Sequence, residues 1–292
     1  MKRKDRKISL IRKIVSMIDS TVNIAVLLFF ILCVLFSGYS IWDNNHIYTK
    51  ASPSVYETYK PEKDDTKSFE ELVKINPDVY GWISIYGTQI DYPLVQGEDN
   101  DKYVNTDAQG NFSLSGSLFL DCQNKRDMSD TVNIIYGHHM EKDKMLGGLD
   151  HYEKEDYFKK HQYGNLYVDG KNYGLEFFML IHVDAYDSKV YNTNERGIDS
   201  YIEYISSFSI QKLDIDERER LICLSTCASD STNGRVILVG SITSETFEDP
   251  YLEKESTVEE KNDSIDWYHI FLFSILFILI ICVGIALIWS RT

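Results

Sequence analysis

The chain contains only five cysteines in 292 residues, and none of them form a Cys-x-x-Cys pair. The missing pairs argue against a structural zinc site, because the ligands of such sites usually come at that spacing. Cys223 and Cys227 lie four positions apart on a predicted strand, which separates them by ~13 Å and excludes a disulfide between them. A free cysteine in a chain without a disulfide framework is consistent with a reactive thiol, and a buried inert thiol is the alternative.

Basic residues are also scarce, with 30 lysines and arginines against 45 acidic residues and a net charge of −15. Seven of the basic residues fall within the first 13 positions, so the rest of the chain is more acidic than the total indicates. Without a basic face, a nucleic-acid partner is not expected. No internal repeat or low-complexity segment is visible either.

Two long apolar runs stand at the ends of the chain, at 22–41 and 267–289. Twenty apolar residues in a helix span ~30 Å, enough to cross a bilayer. Residues 1–21 form a basic tail, which predicts that the N-terminus is cytoplasmic. A cleaved signal peptide is the alternative for the first run. With residues 290–292 also inside, we expect a two-pass protein of the cell membrane with its middle part on the extracellular face.

Between the apolar runs, composition predicts a polar tether at 42–67, a folded domain at 68–243 and an acidic tether at 244–266. Short strands separated by turn residues predict a mainly β domain, a barrel or a sandwich. Periodicity predicts short helices at 68–73 and 201–208. The predicted strands are 80–85, 89–95, 117–121, 132–136, 165–168 and 173–185, followed by two more that flank the polar run 228–233.

The last two strands carry the most informative stretch, Cys223-Leu224-Ser225-Thr226-Cys227, followed by Arg235. An earlier strand ends in Gly137-His138-His139. This pattern resembles the sortases, membrane-anchored cysteine transpeptidases of Gram-positive bacteria, and within them class B. The family motif has Thr where Cys223 stands. Further class B-like pieces follow in order at 76–83 (Asn-Pro-Asp-Val-Tyr-Gly-Trp-Ile), 90–96 (Ile-Asp-Tyr-Pro-Leu-Val-Gln), 99–103 and 116–121.

The resemblance covers roughly residues 68–242 and implies an eight-stranded sortase-type β-barrel with a few helices. The two apolar runs predict that transmembrane helices flank it. It implies three catalytic residues, His138, Cys227 and Arg235. Cys227 would attack a peptide carbonyl as a thiolate, which positive charge nearby favours. Arg235 would stabilise the oxyanion, and His138 would give and take protons.

Residues next to His138 and Cys227 are also candidates for roles in the site. His139 is the competitor for the acid role, but adjacent strand residues point to opposite faces, so only one histidine can face Cys227. The family places its histidine directly after Gly, which favours His138. We expect Ser225 and Thr226 to contribute to substrate binding, Ser225 from the face of Cys227, although an ordinary strand hydroxyl is the alternative. The chemistry requires neither a cofactor nor a metal.

The function implied is cleavage of a C-terminal sorting signal on a secreted surface protein, and transfer of the acyl group through a thioester to an amine of a peptidoglycan cross-bridge. The resemblance implies a signal of the Leu-Pro-x-Thr-Gly or Asn-Pro-x-Thr-Asn type. The second apolar run leaves open a pilin-polymerising sortase that uses a lysine amine of a pilin. Two other classes are weaker alternatives, a papain-like cysteine hydrolase and a non-catalytic membrane-tethered scaffold.

Overall fold

The computed structural model describes residues 2–61, 67–191, 197–214, 220–228 and 233–252. The chain separates into two units; the described residues of the first end at Asn45, and the second begins at His46. The expected second apolar run at 267–289, the tail at 290–292 and the acidic stretch after residue 252 lie outside the described residues.

A single long helix, α1 (Lys2–Lys50), contains the apolar run expected at 22–41. From Arg6 to Lys50 it is long and apolar enough to cross a membrane, with a mean hydropathy of 2.6 over its most apolar window and no part of that window buried. Among the described residues, no other helix is both long enough and apolar enough to cross a membrane.

The second unit is mainly β, as expected. After α1 come short 3₁₀ turns at Pro53–Val55 and Glu57–Tyr59, and two more lie at Lys102–Val104 and Gly147–Glu153. Its helices are α2 (Lys67–Ile75), α3 (Glu155–Lys160), α4 (Ser188–Tyr191) and α5 (Ile198–Ser206). Its strands are β1 (Val79–Ile85), β2 (Asp91–Val95), β3 (Leu118–Leu120), β4 (Val132–Tyr136), β5 (Tyr163–Val168), β6 (Lys171–Asp184), β7 (Ser209–Lys212), β8 (Leu221–Cys227) and β9 (Gly234–Thr243).

Eight of these strands close into a barrel, which confirms that part of the predicted fold. They follow the order β5-β1-β2-β3-β4-β8-β9-β6, and pairing of β5 with β6 closes the ring. Strand β6 has 14 residues, so it pairs with β5 through its first part and with β7 through its second. Strand β7 was not expected; it lies outside the ring on the free edge of β6.

One apolar cluster lies inside the barrel and another lies outside it, and membership of a cluster shows which way a strand residue points. Inside the barrel, Leu224 of β8 and Leu238 of β9 belong to the main core. Outside it, Tyr201 and Ile205 of α5 pack with Cys223 and other outward residues of the same strands. Because side chains alternate along a strand, Cys223, Ser225 and Cys227 share the outer face of β8.

The ends of the folded domain differ from the expected boundaries. The expected tether at 42–67 is helical to Lys50, and then Ala51 and Tyr56 are 1% and 6% exposed in the barrel core. At the other end the ring of Phe247 packs on Tyr163, with centroids 4.4 Å apart. Both segments are polar in composition, which predicted linkers. A few isolated apolar residues nevertheless pack each of them against the barrel.

Candidate active site

A cavity of about 510 Å³ opens where β4 and β8 end and β9 begins. All five residues singled out from the sequence line it, together with residues of the preceding loops and of the segment that contains α4. The lining residues are Asn100, Val104, Phe119, Asp121, Gln123, Tyr136, Gly137, His138, Ala185, Tyr191, Ser225, Thr226, Cys227 and Arg235.

Strand register explains why these residues meet. Strands β4 and β8 are parallel neighbours, with Tyr136 opposite Ser225, so His138 and Cys227 each stand two positions further at the same end of the barrel. Strands β8 and β9 are antiparallel, and Cys227 lies directly opposite Arg235. Residues opposed in this way have Cβ atoms about 4.5–5.5 Å apart. The fold therefore brings an exposed thiol, a guanidinium and an imidazole to one opening.

The two adjacent histidines have different surroundings. Nε2 of His138 lies 2.8 Å from the carbonyl oxygen of Val104. A carbonyl can only accept, so Nε2 carries the proton and Nδ1 is the basic nitrogen of the neutral ring. His139 instead places its Nε2 2.8 Å from Oδ2 of Asp150, and its backbone bridges to Met145. His138 is thus the histidine that lines the cavity.

The other predicted residues hold fixed positions around the thiol. Nη1 of Arg235 donates to the carbonyl oxygen of Gly234 at 2.9 Å. Oγ of Ser225 lies 3.2 Å from the hydroxyl oxygen of Tyr191. Thr226 is 2% exposed, and its hydroxyl has no hydrogen-bond partner among the described residues. Its oxygen is buried, on the strand face opposite to Ser225 and Cys227.

Sequence reasoning missed a polar group at one side of the cavity. The hydroxyl of Tyr136 donates to Oδ2 of Asp121 at 2.8 Å, and Nδ2 of Asn100 donates to the same oxygen at 3.1 Å. Burial raises the pKa of Tyr136 well above its usual range, and the Asp121 carboxylate adds to the effect. The rings of Tyr136 and Tyr191 stack with centroids 6.2 Å apart. The only sequence signal was position, since Tyr136 shares the strand face of His138.

The neighbouring cysteines differ sharply from Cys227. Cys223 is 1% exposed, and burial raises the pKa of its thiol to about 12, so it stays protonated at neutral pH. Partial burial raises the pKa of Cys122, as does the carboxylate of Asp121. Cys227, in contrast, is exposed at the end of its strand. Within the described ranges, no group of three or more histidine, cysteine or acidic side chains is placed to hold a metal ion.

Comparison with known proteins gives a consistent result. A family model described as the sortase domain matches residues 83–243. Sortase B of Staphylococcus aureus is 31% identical over 183 residues, which are 60% of this chain and 74% of that protein.

Two solved structures are also similar. A class B sortase of Streptococcus pyogenes involved in pilus biogenesis is 37% identical with a TM-score of 0.56, covering 60% of this chain and 97% of that one. Sortase B from the type II pilus of Streptococcus pneumoniae is 40% identical with a TM-score of 0.53, covering 61% and 99%.

Proposed function

Because this chain belongs to the sortase family and is a class B-like cysteine transpeptidase, we propose that it cleaves a sorting signal near the C-terminus of a secreted protein and joins the new acyl end to an amine. One observation carries the assignment of the site. Cys227 is exposed opposite Arg235, and both line the cavity that His138 also lines.

In the first half of the proposed reaction, the Cys227 thiolate attacks the carbonyl carbon of the scissile peptide bond. The carbonyl oxygen becomes an oxyanion, and Arg235 stabilises it with a fixed charge and several donors. The carbon–nitrogen bond then breaks. Protonated His138 gives its proton to the leaving amine, and a thioester on Cys227 remains.

In the second half, neutral His138 takes a proton from the incoming amine, which attacks the thioester carbonyl. The carbon–sulfur bond breaks, and the thiolate of Cys227 is regenerated. Since Nε2 of His138 is bound to the Val104 carbonyl, Nδ1 is the nitrogen that would exchange the proton. Ser225 and Thr226, which both line the cavity, would contact the bound signal peptide.

A peptide assay tests this proposal directly. The full chain in detergent micelles is incubated with Leu-Pro-x-Thr-Gly and Asn-Pro-x-Thr-Asn peptides, with and without triglycine. We expect one peptide to be cut and the product to carry triglycine, as seen by mass spectrometry. Hydrolysis alone, with no amine-bearing product at any triglycine concentration, would contradict transpeptidation and favour a hydrolase.

For the acceptor, we propose an amine of a peptidoglycan cross-bridge, and a pilin lysine is the second candidate. The pilin lysine is kept as a candidate because two similar sortases, 37% and 40% identical to this chain, are associated with pili. We also propose that the apolar helix α1 serves as the membrane anchor and that the barrel lies on the extracellular face. The second membrane span, at 267–289, stays a prediction.

A gene deletion separates the two acceptors. If the acceptor is the cell wall, the deletion releases a monomeric surface protein into the medium, and wall extracts of the parent show no covalent ladder. If the acceptor is a pilin, the parent shows a high-mass ladder on a denaturing gel, and the deletion removes it.

Arg235→Lys tests the oxyanion contact. Lysine keeps the positive charge but loses the planar fork of donors. Losing one preorganised contact of this kind lowers kcat by roughly 100- to 1,000-fold, and we expect a loss of that order in the peptide assay. Arg126→Lys is the control, because Arg126 donates to the carbonyls of Pro77 and Val79 away from the cavity. Equal activity of Arg235→Lys and this control would remove the oxyanion role.

A further inference from the structure

The loop that follows His138, residues 139–147, has an unusual backbone; we call it the histidine loop. Lys142, Asp143 and Met145 have φ angles of 59°, 57° and 53°, a region that side-chain-bearing residues seldom adopt. Such conformations persist where the surrounding structure fixes them. The loop also closes back on His138, because the Leu146 N–H donates to the His138 carbonyl oxygen at 3.0 Å.

One buried hydroxyl group connects this loop to another part of the chain. Tyr92 of β2 is 2% exposed, and its hydroxyl accepts a hydrogen bond from the Met145 N–H at 3.1 Å. The same hydroxyl donates to the carbonyl oxygen of Ala51 at 2.8 Å. Ala51 is the first residue after helix α1. A single oxygen thus joins the histidine loop to the point where the chain enters the barrel domain.

Side chains make the same connection at the surface. The hydroxyl of Tyr48 donates to Oε2 of Glu141 at 3.1 Å, and Nζ of Lys142 lies 5.0 Å from the centroid of the Tyr48 ring. Nζ of Lys144 donates to Oγ of Ser52 at 3.2 Å. We call residues 48–52 the entry segment. Its contacts with the histidine loop are all within the second unit, which begins at His46.

We propose that Tyr92 is a positioning residue for His138, and that the entry segment supports the histidine rather than serving as a passive tether. This inference rests on the proposed acid–base role of His138. Two backbone groups from different segments share the Tyr92 hydroxyl, and the loop's left-handed residues need such support. Without the hydroxyl, the loop can relax and carry His138 away from its productive position.

The effect of that change is expected in the rate of the chemical steps. His138 transfers protons after the peptide has bound, so its position affects kcat more than KM. Displacing a catalytic group by 1 Å can cost about 100-fold in rate, and we expect Tyr92→Phe, which removes one support, to lower kcat about tenfold. The Phe ring keeps the buried volume of Tyr92, which favours an intact core.

The test uses the full chain in detergent micelles with the peptide that the wild type cleaves. Tyr152→Phe is the matched control, because Tyr152 is 0% exposed and its hydroxyl donates to the carbonyl oxygen of His161 at 2.8 Å. We expect the kcat of Tyr92→Phe to fall about tenfold relative to this control, with KM changed less than about twofold. Equal kcat in the two variants, or a loss confined to KM, would overturn the positioning role.

A second variant covers the case in which Tyr92→Phe does not fold. Tyr48→Phe with Ser52→Ala removes the hydrogen bonds of the entry segment to Glu141 and Lys144, keeps the ring beneath Lys142 and leaves the barrel core untouched. We expect a lower kcat with the same KM and the same melting temperature as wild type; an unchanged kcat would overturn the supporting role of the entry segment. His138→Ala in the same assay separates the two hypotheses, since a fully active His138→Ala contradicts the acid–base role on which this inference rests.

Discussion

Cys227→Ala is expected to abolish cleavage of a sorting-signal peptide, a loss on the order of 10⁴-fold or more, because no other cysteine is among the described residues that line the cavity. The fold should survive, since Cys227 is exposed at the end of β8 and alanine fits there without strain. Peptide cleavage followed by chromatography measures the first effect, and thermal unfolding measures the second.

Cys223→Ala is the control for that experiment. Its thiol lies on the same strand and the same outward face, but it is buried under α5, where its Sγ lies 3.8 Å from the Tyr201 hydroxyl oxygen. Alanine there should cost about 1 kcal/mol of unfolding free energy and leave most of the activity. If folded Cys223→Ala were as inactive as Cys227→Ala, the assignment of the nucleophile would be wrong.

His138→Ala should be nearly inactive, whereas His139→Ala should retain most activity. The two residues are adjacent, so the pair controls for local effects on the strand end. His138 lines the cavity, while the ring of His139 is bound to Asp150. Removal of a general acid–base group typically costs about 100- to 10,000-fold. Steady-state rates on the same peptide give the comparison.

We expect His139→Ala to fold normally, so its activity can be compared directly with that of His138→Ala. Loss of the His139–Asp150 contact removes a partly exposed pair, which contributes about 0–1 kcal/mol of unfolding free energy when charged. A His139→Ala variant that folds normally but is as inactive as His138→Ala would show that both histidines act in the reaction. A fully active His138→Ala would remove the acid–base role.

Much of the fold could be predicted because its strands are short apolar runs bounded by turns. Strand β4 begins and ends at the predicted residues, 132 and 136. Strand β7 gave no such signal, since three of its four residues are exposed and none is buried. The resemblance to a family supplied the barrel closure, which residue periodicity alone could not provide.

The candidate site could be predicted only in part, for a physical reason. Cys227, His138 and Arg235 were visible because their residue types and strand positions carry chemistry. Tyr92 was not, because its hydroxyl binds two backbone groups, Met145 N–H and Ala51 C=O, and backbone partners leave no mark in a sequence. Ala51 and Tyr56 were missed since burial in a polar segment depends on tertiary packing.

The parallel pairing of β4 with β8 also governs how the protein becomes active during folding. Strands β5, β6 and β7 and helices α3 to α5 all lie between these partners in the chain. Pairings so distant in sequence form slowly, because a long loop must close before any contact compensates for the lost chain entropy. We therefore expect His138 and Cys227 to come together late in folding. In a partly folded chain the Cys227 thiol would lack the partners proposed for it, so we expect acyl transfer only from the finished domain.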